Sequence, residues 1–130
     1  MNAMNERDMI DLVRRYFDAV DGNDFEGIRA TLADGCVFTV ETHGIRFEGV
    51  AEIRAMFDRL WADHESVRHY DFIHVAAPGD GRVASRFSVI NTLPDGHRVQ
   101  KSNCNFFEFA DGRFSRIAVY MAGENTLTRP

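Results

Sequence analysis

The chain has 130 residues, 45% of them hydrophobic, with 20 acidic against 15 basic side chains and a formal net charge of −5. That length and composition suit one domain around a single core. The acidic balance, with no basic cluster beyond pairs such as Arg14 and Arg15, argues against a phosphate-backbone footprint and hence a nucleic-acid partner.

Residues 7–21 carry Met9, Leu12, Val13, Tyr16, Phe17 and Val20 at i, i+3, i+4 and i+7 spacing, which predicts an amphipathic helix ended by Gly22. Asp24 can cap a second, short helix with an apolar edge of Phe25, Ile28 and Leu32, making a helical hairpin. From Cys36 to Glu48 two short strands meet at His43 and Gly44, where glycine permits a tight turn. A third helix is expected over Val50–Ala62, with Ile53, Met56, Phe57, Leu60 and Trp61 on one side.

Four extended runs follow, at about 67–77, 82–93, 97–110 and 113–122, separated by Pro, Asp and Gly clusters that reverse the chain and make neighbours antiparallel. The order ααββαββββ predicts an α+β fold, a cone-shaped and strongly bent antiparallel sheet closed by three helices from the N-terminal half. No apolar run reaches the length of a bilayer span, and the opening MNAMNERDM is polar where a secretion signal is apolar. A cytoplasmic protein without membrane contact is expected.

Strand alternation puts Asn103 and Asn105 on one face with Phe107 and Phe109. A buried amide left unpaired costs roughly 1–3 kcal/mol, so two amides on an apolar face point to a solvated or ligand-filled cavity. Phenylalanine dominates the aromatics, eleven against three tyrosines and one tryptophan, and Phe38, Phe57, Phe87, Phe107 and Trp61 fall on inward or helix-facing positions. Met56, Phe57 and Trp61 on the third helix, with Val119 and Met121 on the last strand, are expected to form an apolar wall for a flat ligand bearing one or two oxygens. Phe106 and Tyr120 fall on the opposite face with no helix to cover them, and such exposed apolar area predicts a homodimer through the sheet.

Cys36 and Cys104 have no metal-type spacing and are expected in the core. His69 and His74, five apart in an extended run, are expected on opposite faces. Neither they nor His43, His64 and His97 show ligand spacing, so no metal site is expected. A GxGxxG, a P-loop and a nucleophile-elbow serine are also lacking, which removes the usual nucleotide and acyl-transfer readings, and no cofactor is expected.

The segments RYFDAVDGNDFEGIRATLADG at 15–35 and NCNFFEFADGRF at 103–114, in this element order, resemble the nuclear transport factor 2-like superfamily, in its SnoaL-like and ketosteroid isomerase-like branch. The resemblance spans nearly the whole chain and implies a single such domain over 1–130. It does not by itself imply an activity, since the fold hosts isomerases, dehydratases, cyclases, hydrolases and non-catalytic modules. Matched to ketosteroid isomerases, Tyr16 stands at the helix-1 tyrosine, Val40 at the base and Asn105 at the second donor. Valine moves no proton, so that mechanism is disfavoured, and Glu41, one residue on, should point out of the pocket.

The scytalone dehydratase-like group offers a partial match. There a strand histidine takes the acidic proton, a helix-end aspartate orients it and an asparagine anchors the substrate; the equivalents are His69, Asp21 and Asn105. Two tyrosines of that site fall here on Val20 and Val40. Each residue also has a plain structural role open to it: His69 as a hydrogen-bonded strand residue, Asp21 as a turn stabiliser, Tyr16 as core packing with one hydroxyl partner.

The function expected from this is binding of a small cyclic or aromatic carbonyl compound, with cofactor-free proton transfer of the dehydratase, isomerase or cyclase type. His69, Asp21, Tyr16 and Asn105 would be the catalytic group. Val40, Met56, Phe57, Trp61, Asn103, Phe107, Val119 and Met121 would bind substrate. The alternative is a binding or dimerisation module whose pocket is chemically idle.

Overall fold

The computed structural model describes residues 4–127. Helix α1, Glu6–Asp21, starts where the Asn5 side chain accepts from the Asp8 N–H at 2.8 Å and buries the stripe from Met9 to Val20. Helix α2, Phe25–Arg29, is capped by Asp24, whose carboxylate accepts from the Gly27 N–H at 3.0 Å. A Cβ on Gly27 would stand 2.9 Å from that of Ala19, so the hairpin of α1 and α2 needs glycine there. Helix α3 runs Gly49–Asp63 and buries Ile53, Met56, Phe57 and Leu60.

The strands are β1 (Leu32–Val40), β2 (Ile45–Glu48), β3 (Ser66–Ala77), β4 (Arg82–Thr92), β5 (Arg98–Ala110) and β6 (Arg113–Tyr120). They form one sheet in the order β2-β1-β6-β5-β4-β3, with the helices in the N-terminal half. The fold is α+β, as the periodicities predict. All neighbours are antiparallel except β1 and β6, which run parallel because the chain returns to β1 only after the whole meander of β3–β6.

Strand β1 begins at Leu32, four residues earlier than Cys36. Between Leu32 and Val37 its register against β6 slips, and residues 33–35 loop out while Leu32 stays fully buried. Leu32 is therefore a sheet residue and not the edge of α2.

The core lies between the concave face of the sheet and the helices. Phe38, Phe57, Phe107 and Phe114 are fully buried, and the Tyr16 ring meets Phe17, Phe57, Phe107 and Phe114 edge-on, with centroids 5.0 to 6.3 Å apart. Cys36 belongs to this core, and burial pushes its thiol up to about 12. Cys104 does not: it alternates with inward Asn103 and Asn105 and lies partly exposed on the outer face.

A second bulge corrects the expectation for the histidines. Across Tyr70–Ile73 strand β3 advances three residues while its partners Ser88 and Arg86 on β4 advance two, and Asp71 takes φ 56° to absorb the extra residue. The parity of β3 flips at that point, so His69 before it and His74 after it both face inward. His74 stacks on Phe72 at 5.4 Å, and its Nδ1 lies 2.7 Å from the buried Ser85 hydroxyl.

Burial, helped by the positive charge of Arg14 on α1, lowers the pKa of His74 below its ordinary 6.5. The folded state then binds fewer protons than the unfolded one below pH 6.5. This group's contribution is complete above about pH 6.5, is lost as pH falls from there, and levels off below the lowered folded value. His74→Phe removes the proton site, so its melting temperature should fall less than that of the wild type between pH 7 and pH 5. Parallel melting curves across that range would show that His74 is not the group responsible.

Candidate active site

Asp21 is the last residue of α1, and His69 lies in the first half of β3, just before the bulge. The structure brings them together. The Asp21 carboxylate accepts from the His69 backbone N–H at 2.8 Å with one oxygen, and the other stands 2.5 Å from the His69 Nδ1. An ionised carboxylate only accepts, so Nδ1 carries the proton and Nε2 is left as the basic nitrogen. The Phe17 and Phe87 rings, centred 4.8 and 5.2 Å away, fix the imidazole plane. This is a histidine held by two oxygens of one acid on one side and by aromatic rings on the others.

His69 forms part of the wall of a cavity of about 40 Å³ between α1, α3 and the inner sheet face. Tyr16, Phe57, Asn103, Asn105, Val119 and Met121 share that wall. Tyr16 is almost wholly buried. Desolvation first, then the nearby Cys36 and Asp21, drives its phenol far above the ordinary value, so it stays protonated and presents an O–H. Asn105 is 3% exposed, and its Oδ1 has no partner among the described residues. Asn103 is already engaged, accepting from the Ala122 N–H at 3.0 Å.

Four expected lining residues sit one layer back. Val40, Met56 and Phe107 are completely buried in core packing and do not border the cavity. Trp61 stacks behind Phe57 at 5.6 Å and donates its indole N–H to the Val20 carbonyl at 3.0 Å, so it braces the wall without reaching the space. Helical spacing identifies the buried face of α3 but does not separate its cavity-facing residues from those that pack behind them.

Other wall residues were not anticipated. Asn91 is buried on β4 in the same alternation as Val83, Phe87 and Val89, and the parity of that strand was the signal for it. Thr126 and Leu127 lie in the irregular segment after β6, where no period marks a direction. Glu41 points outward, as alternation demands: it lies in the turn after β1 with its carboxylate 3.0 Å from the Arg116 guanidinium. Among the described residues no three His, Cys, Asp or Glu converge on a point where a metal ion could bind, and no helix is long and apolar enough to cross a membrane.

The volume limits what can bind in this form. One water needs roughly 10–15 Å³ on this measure, so the space suits a few waters, and an aromatic ligand would require wall residues to move. Six polar residues line it, Tyr16, His69, Asn91, Asn103, Asn105 and Thr126. Such a set can take a proton from a carbon acid and place donors near the oxygen that gains charge.

The SnoaL-like domain model matches residues 13–117. No curated protein matches the chain by sequence. Among solved structures, a provisionally named polyketide cyclase from Xanthomonas campestris pv. campestris superposes with a TM-score of 0.82 at 21% identity, over 90% of this chain and 92% of that one. One of the same description from Pseudomonas putida KT2440 gives 0.78 at 20%, over 86% and 90%. TerC, co-crystallised with polyporic acid, gives 0.78 at 16%, over 88% and 91%. At these identities the structures speak for the fold alone, and the family model carries the assignment: the chain belongs to the SnoaL-like domain family, within the nuclear transport factor 2-like fold.

Proposed function

We propose that this protein binds a small cyclic or aromatic carbonyl compound and catalyses cofactor-free proton transfer on it, as a cyclase, isomerase or dehydratase. The observation that carries the reading is the Asp21–His69 pair, with Nδ1 2.5 Å from the carboxylate and the ring at the wall of a cavity lined by amides and a phenol. His69 Nε2 takes the acidic proton next to the carbonyl. Asp21 stabilises the imidazolium that results, and the Tyr16 O–H and the Asn105 amide donate to the oxygen as it becomes an enolate. Structural neighbours named as polyketide cyclases, and one co-crystallised with polyporic acid, support this ligand class.

The outer sheet face exposes Ile73, Val75 and Tyr120 at 51%, 67% and 46%. Such apolar area supports a homodimer formed through that face.

The test is hydrogen–deuterium exchange at the acidic carbon of 2-tetralone, a two-ring ketone, followed by NMR. Wild type should accelerate exchange, and His69→Gln, which keeps a polar side chain but no base, should lose the acceleration. An idle binding module predicts that both proteins leave exchange at the buffer rate, and that outcome would overturn the enzymatic reading.

A further inference from the structure

The inner row of β5 places an unexpected cation beside the cavity. Lys101 is two residues before Asn103 on the same face and is only 8% exposed, although lysine is almost never buried without a partner. It is opposite Val89 on β4, and Val89 is in turn opposite His69 on β3. With strands spaced about 4.8 Å apart, the backbones of Lys101 and His69 stand on the order of 10 Å from each other across the concave face.

Lys101 is held by Glu124, through its backbone carbonyl and its nearby charge. Its Nζ donates to the backbone carbonyl of Glu124, in the segment 121–127 that follows β6. That segment is a strap across the mouth of the cone. Its Met121 N–H donates to Thr42 at 3.2 Å and its Ala122 N–H to Asn103 at 3.0 Å, while Thr126 and Leu127 close the cavity wall. Beyond the strap lies a hollow of about 390 Å³ bordered by His64, Leu93, Val99, Lys101 and Glu124, with Thr126 common to both spaces.

The cavity beside His69 is too small for a ring in this form, and the larger hollow is next to it, with Thr126 of the irregular segment lining both. Displacing the strap joins the two into one pocket running from His69 to Lys101. It also takes from Lys101 both the Glu124 carbonyl and the nearby Glu124 charge, and an anionic group of a ligand can replace them at the Nζ. Burial already lowers the Lys101 pKa, while Glu124 opposes the shift.

We infer that Lys101 is a specificity residue that binds an anionic group of the ligand when the strap lifts, so that the natural substrate is an aromatic or cyclic carbonyl compound that also carries an acidic group. This rests on the reading of the cavity as a ligand site and adds to it the charge of the ligand and the end at which that charge sits. The acid is bound at Lys101, and the reacting carbon lies toward His69.

Calorimetric titration of the whole chain with 2-naphthoate and with its neutral isostere 2-naphthamide tests this. Wild type should bind the carboxylate at least tenfold more tightly than the amide. Lys101→Met should lose that preference while amide affinity stays within about twofold, which also shows that the variant is folded; Lys101→Arg, which keeps the charge, should retain it. Equal binding of both probes by wild type, or a carboxylate preference that survives Lys101→Met, overturns the assignment of Lys101 and leaves the His69-dependent exchange standing. If neither probe binds wild type, the ligand-site reading falls together with it.

Discussion

Asp21→Asn is expected to lower catalysed exchange by about 10²–10⁴-fold, the range that a positioned acid–base group contributes, while the protein stays folded. The carboxylate accepts from two donors of the same residue, the His69 backbone N–H at 2.8 Å and the ring Nδ1 at 2.5 Å. An amide has one acceptor oxygen for those two donors. If that oxygen stays with the backbone, the amide N–H faces Nδ1, which must then be unprotonated; the ring proton moves to Nε2, and the imidazole can no longer take a proton from a substrate. If the oxygen stays with the ring, the His69 backbone N–H meets an N–H, and the strand shifts at the residue that must be held still.

The second arrangement leaves one partly buried donor without its acceptor, at a cost of roughly 1–3 kcal/mol in stability, whereas the first keeps both contacts and loses only the base. Exchange rates and a urea titration on the same variant separate the two roles of Asp21. A helix-end turn stabiliser would lose stability and keep its exchange rate, whereas an orienting partner loses the rate far beyond any change in folded fraction. A rate within a few-fold of wild type would remove Asp21 from the site.

The sequence made some of this arrangement readable and hid the rest for identifiable reasons. The helices were legible because Met9 to Val20 and Ile53 to Trp61 repeat at 3.6 residues, and the hairpins because Pro, Asp and Gly cluster at each reversal. Asn103 and Asn105 were legible as inward polar residues because β5 alternates without a break from Arg98 to Glu108. The pairing of Asp21 with His69 is different in kind. The residues are 48 apart and no local pattern links them; only the likeness to a dehydratase site pairs them.

What stayed hidden depends on non-local geometry. The bulge at Tyr70–Ile73 puts His69 and His74 on one face, and its local sign is a single non-glycine residue, Asp71, at positive φ. A period-2 count across that point gives the wrong parity. The cavity wall also depends on depth as well as direction: Met56 and Phe57 both face inward from α3, but Phe57 reaches the space and Met56 does not. The strap has no period at all, so its Thr126 and Leu127 carry no sequence sign of a wall, and nothing local to Lys101 marks that Glu124 covers it.

The largest loss of stability is expected from Phe17→Ala, about 3–5 kcal/mol, the usual cost of emptying a buried aromatic position. Phe17 is 3% exposed, and its ring lies 4.8 Å from those of both Phe87 and His69, 4.9 Å from Phe72 and 6.0 Å from Phe107. It therefore joins α1 to three strands of the sheet at the level of the site. Against a total stability of about 5–15 kcal/mol for a domain, such a loss should move the urea midpoint sharply downward, with the slope of the transition unchanged if unfolding remains two-state.

The same substitution bears on the site, because the ring removed is one of those that fix the His69 imidazole. Exchange measured at low urea, where Phe17→Ala is still mainly folded, should be slower than the folded fraction accounts for, since an imidazole free to turn spends less time on Asp21. Phe17→Leu keeps most of the volume and should recover much of the stability but less of the rate. If both variants keep a rate proportional to their folded fraction, the aromatic packing serves the core alone and the Asp21 carboxylate is sufficient to aim the histidine.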